Sequence, residues 1–265
     1  MNDLKQLPLR GGDFTVNYYQ QGSGDALVFL HSAGGLPAFT PELVELSKRF
    51  TVTAPLLPGF GSTGEEHLHE EVQKLVFWGW DLMDTLKIER PILIGHSLGG
   101  MLAAEMAATE PGRVRKLALV APAGLYVPEH PTLDFFACPP DRLLRAAFHD
   151  PESEAAKAFM KAPDDPQKAI EAIVARTKAL ATAGRFLWPN GDRGLSERLY
   201  RIKAPTLLLW GESDGLIPPA YATAFKQMLT GAASVKTQII AKAGHVLFAE
   251  QPSTSVRALM DFCTN

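Results

Sequence analysis

The segment Gly95-His96-Ser97-Leu98-Gly99 places a serine between two glycines, and this spacing could support nucleophilic catalysis. An apolar run over 92–94 precedes the segment, and a stretch of small, helix-forming residues over 101–108 follows it. A serine hydroxyl is exposed as a nucleophile at the tight turn of such a strand–turn–helix unit. The alternative is an ordinary strand–helix turn in which the serine only caps the helix.

The two glycines explain how the turn could hold Ser97. A nucleophile of this kind requires a strained backbone, and side chains two residues before or after it would collide. Gly95 and Gly99 remove those side chains. The following helix would direct its unpaired N–H groups and the positive end of its dipole at the reacting centre. The sequence therefore predicts a nucleophilic role for Ser97.

The rest of the chain alternates short apolar runs with helical segments. This alternation predicts an α/β fold, a mostly parallel, doubly wound sheet that binds ligands at the carboxyl ends of its strands. The first two strands are joined by a glycine turn, and the second, in which Phe14, Val16 and Tyr18 alternate with polar residues, is expected near a sheet edge. Strands are predicted over 4–9, 14–20, 26–30, 50–54, 92–94, 116–120, 205–210 and 235–240, and helices over 41–49, 65–86 and 253–262.

Several motifs make the chain resemble the α/β-hydrolase family over nearly its whole length. They are Leu30-His31-Ser32-Ala33-Gly34-Gly35, Leu57-Pro58-Gly59-Phe60-Gly61-Ser62, the serine turn, Leu209-Trp210-Gly211-Glu212-Ser213-Asp214 and Ala243-Gly244-His245. Their order matches the family's order of nucleophile, acid and histidine. The resemblance implies the α/β-hydrolase fold with an inserted helical cap.

The resemblance also implies a catalytic triad of Ser97, His245 and Asp214. Asp214 stands four residues before Pro218, where the family carries its acid, and Glu212 is the local rival. In such a triad the histidine takes the serine proton, and the carboxylate orients the imidazole. The chemistry needs no metal and no organic cofactor, so none is expected.

The oxyanion hole is also assigned by resemblance, to the backbone amides of Ala33 and Leu98. Ser32 departs from the family's usual His-Gly at this loop, although the small residues still allow backbone to approach a substrate oxygen. The side chain of His31 is interpreted as a loop histidine that hydrogen-bonds the backbone.

The region between the predicted strands at 116–120 and 205–210 has no strand-like run. Helices are expected there over 142–149, 152–161 and 166–184, which fits a cap at 123–200 inserted into a core of 1–122 and 201–265. The apolar side chains of this region would form a lid over the substrate pocket; alternatively, they only pack the cap onto the core. They are Phe135, Phe136, Phe159, Met160, Phe186, Leu187 and Trp188.

The main functional hypothesis is hydrolysis of a carboxylic ester of a small or medium molecule. Carbon–carbon bond hydrolases of ring-fission products are the alternative, but they usually carry Asn and Trp where this chain has His96 and Val246. Dehalogenases and epoxide hydrolases of the fold use an aspartate nucleophile, which Ser97 argues against. Lyase, acyl-transfer and oxygenase chemistry stay open, as does a ligand receptor with a hydrolase-like pocket.

Composition gives no reason to expect nucleic acid or a membrane as partner, since 26 basic and 29 acidic residues leave a formal charge of −3. Cys138 and Cys263 are interpreted as reduced thiols, and residues 1–10 contain no secretory signal, so a cytoplasmic protein is expected. His67 and His69 are interpreted as part of a solvated helix face rather than as metal ligands. The sequence predicts no oligomeric state.

Overall fold

A computed structural model describes residues 4–12, 14–61, 63, 71–189 and 191–265. The strands are short and mostly apolar, and the buried strands in the middle of the chain consist largely of Leu, Ile, Val and Ala, as is typical of strands covered on both faces. The described residues form the strands β1 Lys5–Leu9, β2 Phe14–Gln21, β3 Ala26–Leu30, β4 Thr51–Pro55, β5 Ile92–His96, β6 Lys116–Val120, β7 Thr206–Gly211 and β8 Val235–Ile240.

These strands make one sheet in the order β1-β2-β4-β3-β5-β6-β7-β8. The pairs β1–β2 and β2–β4 are antiparallel, and every later pair is parallel. The parallel strands therefore end at one edge of the sheet, and the loops that follow β3, β5, β7 and β8 meet there. The prediction of a mostly parallel α/β sheet is confirmed, and β2, expected near an edge, is the second strand from one edge.

Helices cover both faces of this sheet. The helices are α1 Pro41–Ser47, α2 Val72–Thr85, α3 Leu98–Thr109, α4 Pro140–Ala147, α5 Glu154–Met160, α6 Pro166–Leu187, α7 Ala220–Met228, α8 Leu247–Glu250 and α9 Pro252–Thr264. Buried apolar side chains of α2, α3 and α7 form one cluster on one face, and those of α1, α8 and α9 form a second cluster on the other. Each large apolar side chain removed from water contributes roughly 1.5–3 kcal/mol before the entropy cost of ordering it.

The segment between β6 and β7 carries α4, α5 and α6 and lies over the carboxyl edge of the sheet; we call it the helical insert. The second half of α6 packs on the core, where Ala183 and Phe186 are buried. Thr182 Oγ1 donates a hydrogen bond to the carbonyl oxygen of Gly59, 3.1 Å away. Residues 166–178, in contrast, are exposed apart from the half-buried Ala169.

Several sequence-based boundaries shift by one to three residues, and two helices, α7 and α8, were not expected. Within the described residues, the predicted helix over 65–86 is observed as α2; residues 65–70, with His67 and His69, lie outside the described residues. No helix within the described ranges is long and apolar enough to cross a membrane.

Candidate active site

Ser97 lies at a strained turn between β5 and α3. Its backbone has φ 56° and ψ −113°, an unusual conformation for a residue other than glycine. The turn is held by a 2.9 Å hydrogen bond from Ser97 N–H to the carbonyl oxygen of Val120. A Cβ atom at Gly99 would overlap the carbonyl oxygen of Leu30, and one at Gly95 would overlap that of Gly99. The local sequence thus explains why β5 and α3 can approach closely enough to form this turn.

Asp214 and His245 come from the loops after β7 and β8 and form a direct hydrogen bond. His245 Nδ1 lies 2.8 Å from Asp214 Oδ2, and both residues are buried. Asp214 Oδ1 accepts the N–H groups of Leu216 and Ile217, each at 2.9 Å. An ionised carboxylate can only accept hydrogen bonds, so Nδ1 of His245 carries the proton in this bond. Nε2 of His245 is then the unprotonated nitrogen that can act as a base.

Ser97 and His245 line one cavity of about 290 Å³ beneath the helical insert. Ala33 lines the same cavity, together with its neighbours Ser32 and Gly34. Leu98 is the first residue of α3, and the N–H groups of a helix's first turn have no carbonyl acceptor within the helix. The structure therefore brings the predicted site residues to one edge of the sheet. Glu212, the rival acid, instead accepts the N–H of Lys242 on the outer side of the loop.

Two further histidines, His31 and His96, are buried beside the cavity in a neutral form. His31 Nε2 accepts the N–H of Leu57 at 3.0 Å, and Nδ1 donates to the carbonyl oxygen of Ser32 at 2.7 Å. Burial lowers the pKa of His31 to about 4. Burial, aided by repulsion from His245, lowers the pKa of His96 to about 3. His31 therefore has the backbone-binding role expected from the sequence.

The helical insert supplies a mainly apolar wall of the cavity. Phe135, Phe159 and Leu187 line it, whereas Phe136 and Trp188 line a separate outer groove. Phe186 is buried and Met160 is exposed, and neither lines the cavity.

Arg176 also lines the cavity, and no sequence motif marks it. It is the only Lys, Arg, Asp or Glu among the described residues that line this cavity. Its guanidinium carbon lies 5.9 Å from the centroid of the Phe159 ring. One guanidinium in a mainly apolar pocket offers a contact for an anionic substrate group, because it binds a carboxylate by charge-assisted hydrogen bonds.

Within the described ranges, no group of three or more His, Cys, Asp or Glu side chains has the arrangement to hold a metal ion. Cys138 and Cys263 are both free thiols. Burial raises the pKa of Cys263 to about 12, so this thiol is a packing group rather than a nucleophile.

The sequence matches the alpha/beta hydrolase family over residues 27–259. The chain belongs to this family. It is 28% identical to a 2-hydroxy-6-oxo-2,4-heptadienoate hydrolase of Pseudomonas putida, across 98% of this chain and 96% of that protein. It is 30% identical to a pimeloyl-[acyl-carrier protein] methyl ester esterase of Vibrio campbellii, across 81% of this chain and 86% of that protein.

Solved structures share the same fold. A meta-cleavage product hydrolase from Pseudomonas fluorescens IP01 superimposes with a TM-score of 0.77 at 19% identity, covering 98% of this chain and 97% of that one. At this identity the likeness concerns the fold alone.

Proposed function

We propose that this member of the family is a serine hydrolase that cleaves a carboxylic ester of a small or medium substrate through an acyl-enzyme on Ser97. The observation that carries the proposal is the 2.8 Å bond between His245 Nδ1 and Asp214 Oδ2, in a pair whose histidine shares a cavity with Ser97. The strained backbone of Ser97 supports the same role, because strain of this kind is retained at sites where it serves function.

The proposed reaction begins when His245 Nε2 takes the hydroxyl proton of Ser97 and the serine oxygen attacks the ester carbonyl carbon. The amides of Ala33 and Leu98 would stabilise the oxyanion, and each such donor lowers the barrier by roughly 3 kcal/mol. Asp214 stabilises the imidazolium, which then protonates the departing alkoxide. A water molecule releases the acyl group by the reverse sequence, with the acid formed as product.

We further propose that residues 123–200 act as a cap over this reaction. The cavity lies between the sheet loops and the insert, and Phe135, Phe159 and Leu187 cover it from the insert side. An apolar wall of this kind excludes water and suits an uncharged acyl or alcohol group.

The test combines the variant Ser97→Ala with p-nitrophenyl esters of graded chain length. We expect the variant to fold normally and to lose hydrolysis, and a serine-directed phosphonate to label Ser97 of the native protein, as located by mass mapping. Full activity of the variant would overturn the role of Ser97. Multiple turnovers support an enzyme, whereas one stoichiometric event followed by tight retention of the ligand would identify a receptor.

Carbon–carbon bond hydrolysis is the second candidate, and Arg176 is the observation that favours it. The Pseudomonas putida relative is named for a dienoate, which is a carboxylate, and a lone Arg on the cavity wall suits a carboxylate. A vinylogous diketone acid tested beside the esters distinguishes the two candidates. A higher kcat/KM on the diketone would replace the ester assignment.

A further inference from the structure

The segment 146–150, at the end of α4, contacts both loops that carry the Asp214–His245 pair. Gly215 N–H donates to the carbonyl oxygen of Ala146 at 2.9 Å, and Val246 N–H donates to that of Ala147 at 3.3 Å. Gly215 and Val246 directly follow the aspartate and the histidine, respectively. The insert therefore contacts each loop one residue beyond the proposed catalytic group.

Glu250 strengthens the connection to the histidine loop. Its Oε2 accepts the N–H of Gly244 at 2.7 Å, immediately before the histidine. Its Oε1 accepts the N–H groups of His149 at 2.9 Å and Asp150 at 3.3 Å, both in the insert. One half-buried carboxylate at the end of α8 thus joins two parts of the chain that are about 100 residues apart in sequence.

We propose that Glu250 is a positioning residue, which fixes the loop of His245 to the end of α4 so that the imidazole and the helical insert are held together. This inference rests on the proposed function, because it assigns to Glu250 the placement of the base that activates Ser97. Glu250 acts through the backbone of Gly244 and takes no proton from the substrate.

The geometry requires a carboxylate at this position. Both oxygens of Glu250 face backbone donors, and an ionised carboxylate offers only acceptors. A glutamine has a single acceptor oxygen, so its amide N–H₂ would face either Gly244 N–H or the two N–H groups of the insert. One side of the connection must then break.

Two other observations agree with this role. His149 Nδ1 lies 2.7 Å from Ser213 Oγ, so the same residue of the insert also contacts the acid loop. Gly244 packs directly against the insert backbone, because a Cβ atom there would overlap the carbonyl oxygen of Ala147. The loop and the insert are therefore in close backbone contact at the point that Glu250 secures.

The variants Glu250→Gln and Glu250→Asp test the proposal. We expect Glu250→Gln to lower kcat and the rate of phosphonate labelling by about 10- to 100-fold, since a small displacement of a catalytic group has effects of this size. KM should stay within about threefold of the native value, because Glu250 does not line the cavity. Glu250→Asp keeps two acceptors on a shorter side chain and should recover part of the lost kcat.

Glu212→Gln is the matched control. The exposed Glu212 also accepts a backbone N–H of the His245 loop, that of Lys242, but it lies in the loop after β7 rather than at the contact with the insert. This control should leave kcat within about twofold of the native value. Amide hydrogen exchange supplies a readout that does not depend on activity: exchange at Gly244, His149 and Asp150 should accelerate in Glu250→Gln and not in the control.

Native kcat, labelling and exchange in Glu250→Gln would overturn the role of Glu250 and leave the proposed function standing. Absence of Ser97 labelling in the native protein would instead overturn the proposed function, while the exchange measurement would still report whether Glu250 holds the loop. Should Glu250→Gln fail to fold, the same measurements on Glu250→Ala decide the question, because this variant removes both acceptor oxygens without adding a misplaced donor. Native values in folded Glu250→Ala would overturn the proposal.

Discussion

His96 Nε2 donates a hydrogen bond to the carbonyl oxygen of His245, and the two atoms lie 3.0 Å apart. His96 directly precedes Ser97, so this bond joins the turn after β5 to the loop after β8. The two imidazole rings are 5.1 Å apart between centroids. A protonated His96 would place a positive charge beside the proposed base, and burial of His96 disfavours that charge.

The buried histidines predict that the protein loses stability in mild acid. His31 and His96 have native pKa values of about 4 and about 3, below the value of 6.5 for an unfolded chain. Between pH 6.5 and pH 4 the unfolded state therefore binds more protons, and the free energy of unfolding falls as the pH is lowered. Each histidine contributes up to about 1.4 kcal/mol per pH unit.

Urea unfolding at pH 7, 6 and 5 measures this slope. The variant His96→Asn removes one titrating group and should flatten the slope by up to the contribution of one histidine. His130→Asn is the matched control, in which the same substitution is made at an exposed position. If the unfolding free energy of His96→Asn depended on pH as steeply as that of the native protein, the lowering of the His96 pKa by burial would be contradicted.

Asp214→Asn should lower kcat by about 10⁴-fold with little loss of stability. The amide oxygen of the substituted side chain can still accept the N–H groups of Leu216 and Ile217, which keeps the turn intact. Its N–H₂ group would then face Nδ1 of His245 and favour the tautomer in which Nε2 carries the proton. Steady-state kinetics and thermal unfolding check the two parts of this prediction, and a fall of less than tenfold would argue against the proposed triad.

Arg176→Gln should raise KM about tenfold for an ester that also carries a carboxylate, and leave KM for an uncharged ester unchanged. A hemisuccinate and a butyrate of p-nitrophenol form a suitable pair. Arg185→Gln is the matched control, because Arg185 belongs to the same helix but lines the outer groove. Equal effects of Arg176→Gln on both esters would exclude recognition of an anion at this wall.

Gly99→Ala should destabilise the protein by about 3 kcal/mol or more, because the new methyl group would overlap backbone atoms of Leu30 and His31. Gly112→Ala serves as the control, since a Cβ atom at Gly112 meets nothing within 4 Å. The control should change stability by no more than about 1 kcal/mol. Comparable unfolding midpoints for both variants would contradict the close packing of β3 against α3.

The sheet could be predicted well because its buried strands are continuous apolar runs. Ala26–Leu30 and Lys116–Val120 are observed with the predicted bounds. Helix α7 was missed because no clear start signal marks it: Pro219 precedes it, and no side chain caps its first turn. Helix α8 has only four residues, too few for a periodic pattern.

Within the candidate site, sequence motifs could indicate the residues that lie one or two positions from a glycine at a strand end. They could not identify Arg176, because whether a residue faces the cavity depends on the rotation of α6 against the core. The motifs also gave no sign of the contacts of Glu250, whose partners His149 and Asp150 are distant in sequence and bind through backbone N–H groups. Such contacts depend on the fold rather than on residue type, so the spacing of residues along the sequence does not predict them.

The exposed first half of α6 has an evolutionary consequence. Residues 166–178 are exposed apart from Ala169 and carry Arg176, which lines the cavity, so a substitution there can alter which molecules are accepted without disturbing the bond-breaking apparatus. Substrate preference can therefore diverge among descendants of such a chain while Ser97, Asp214 and His245 are all retained.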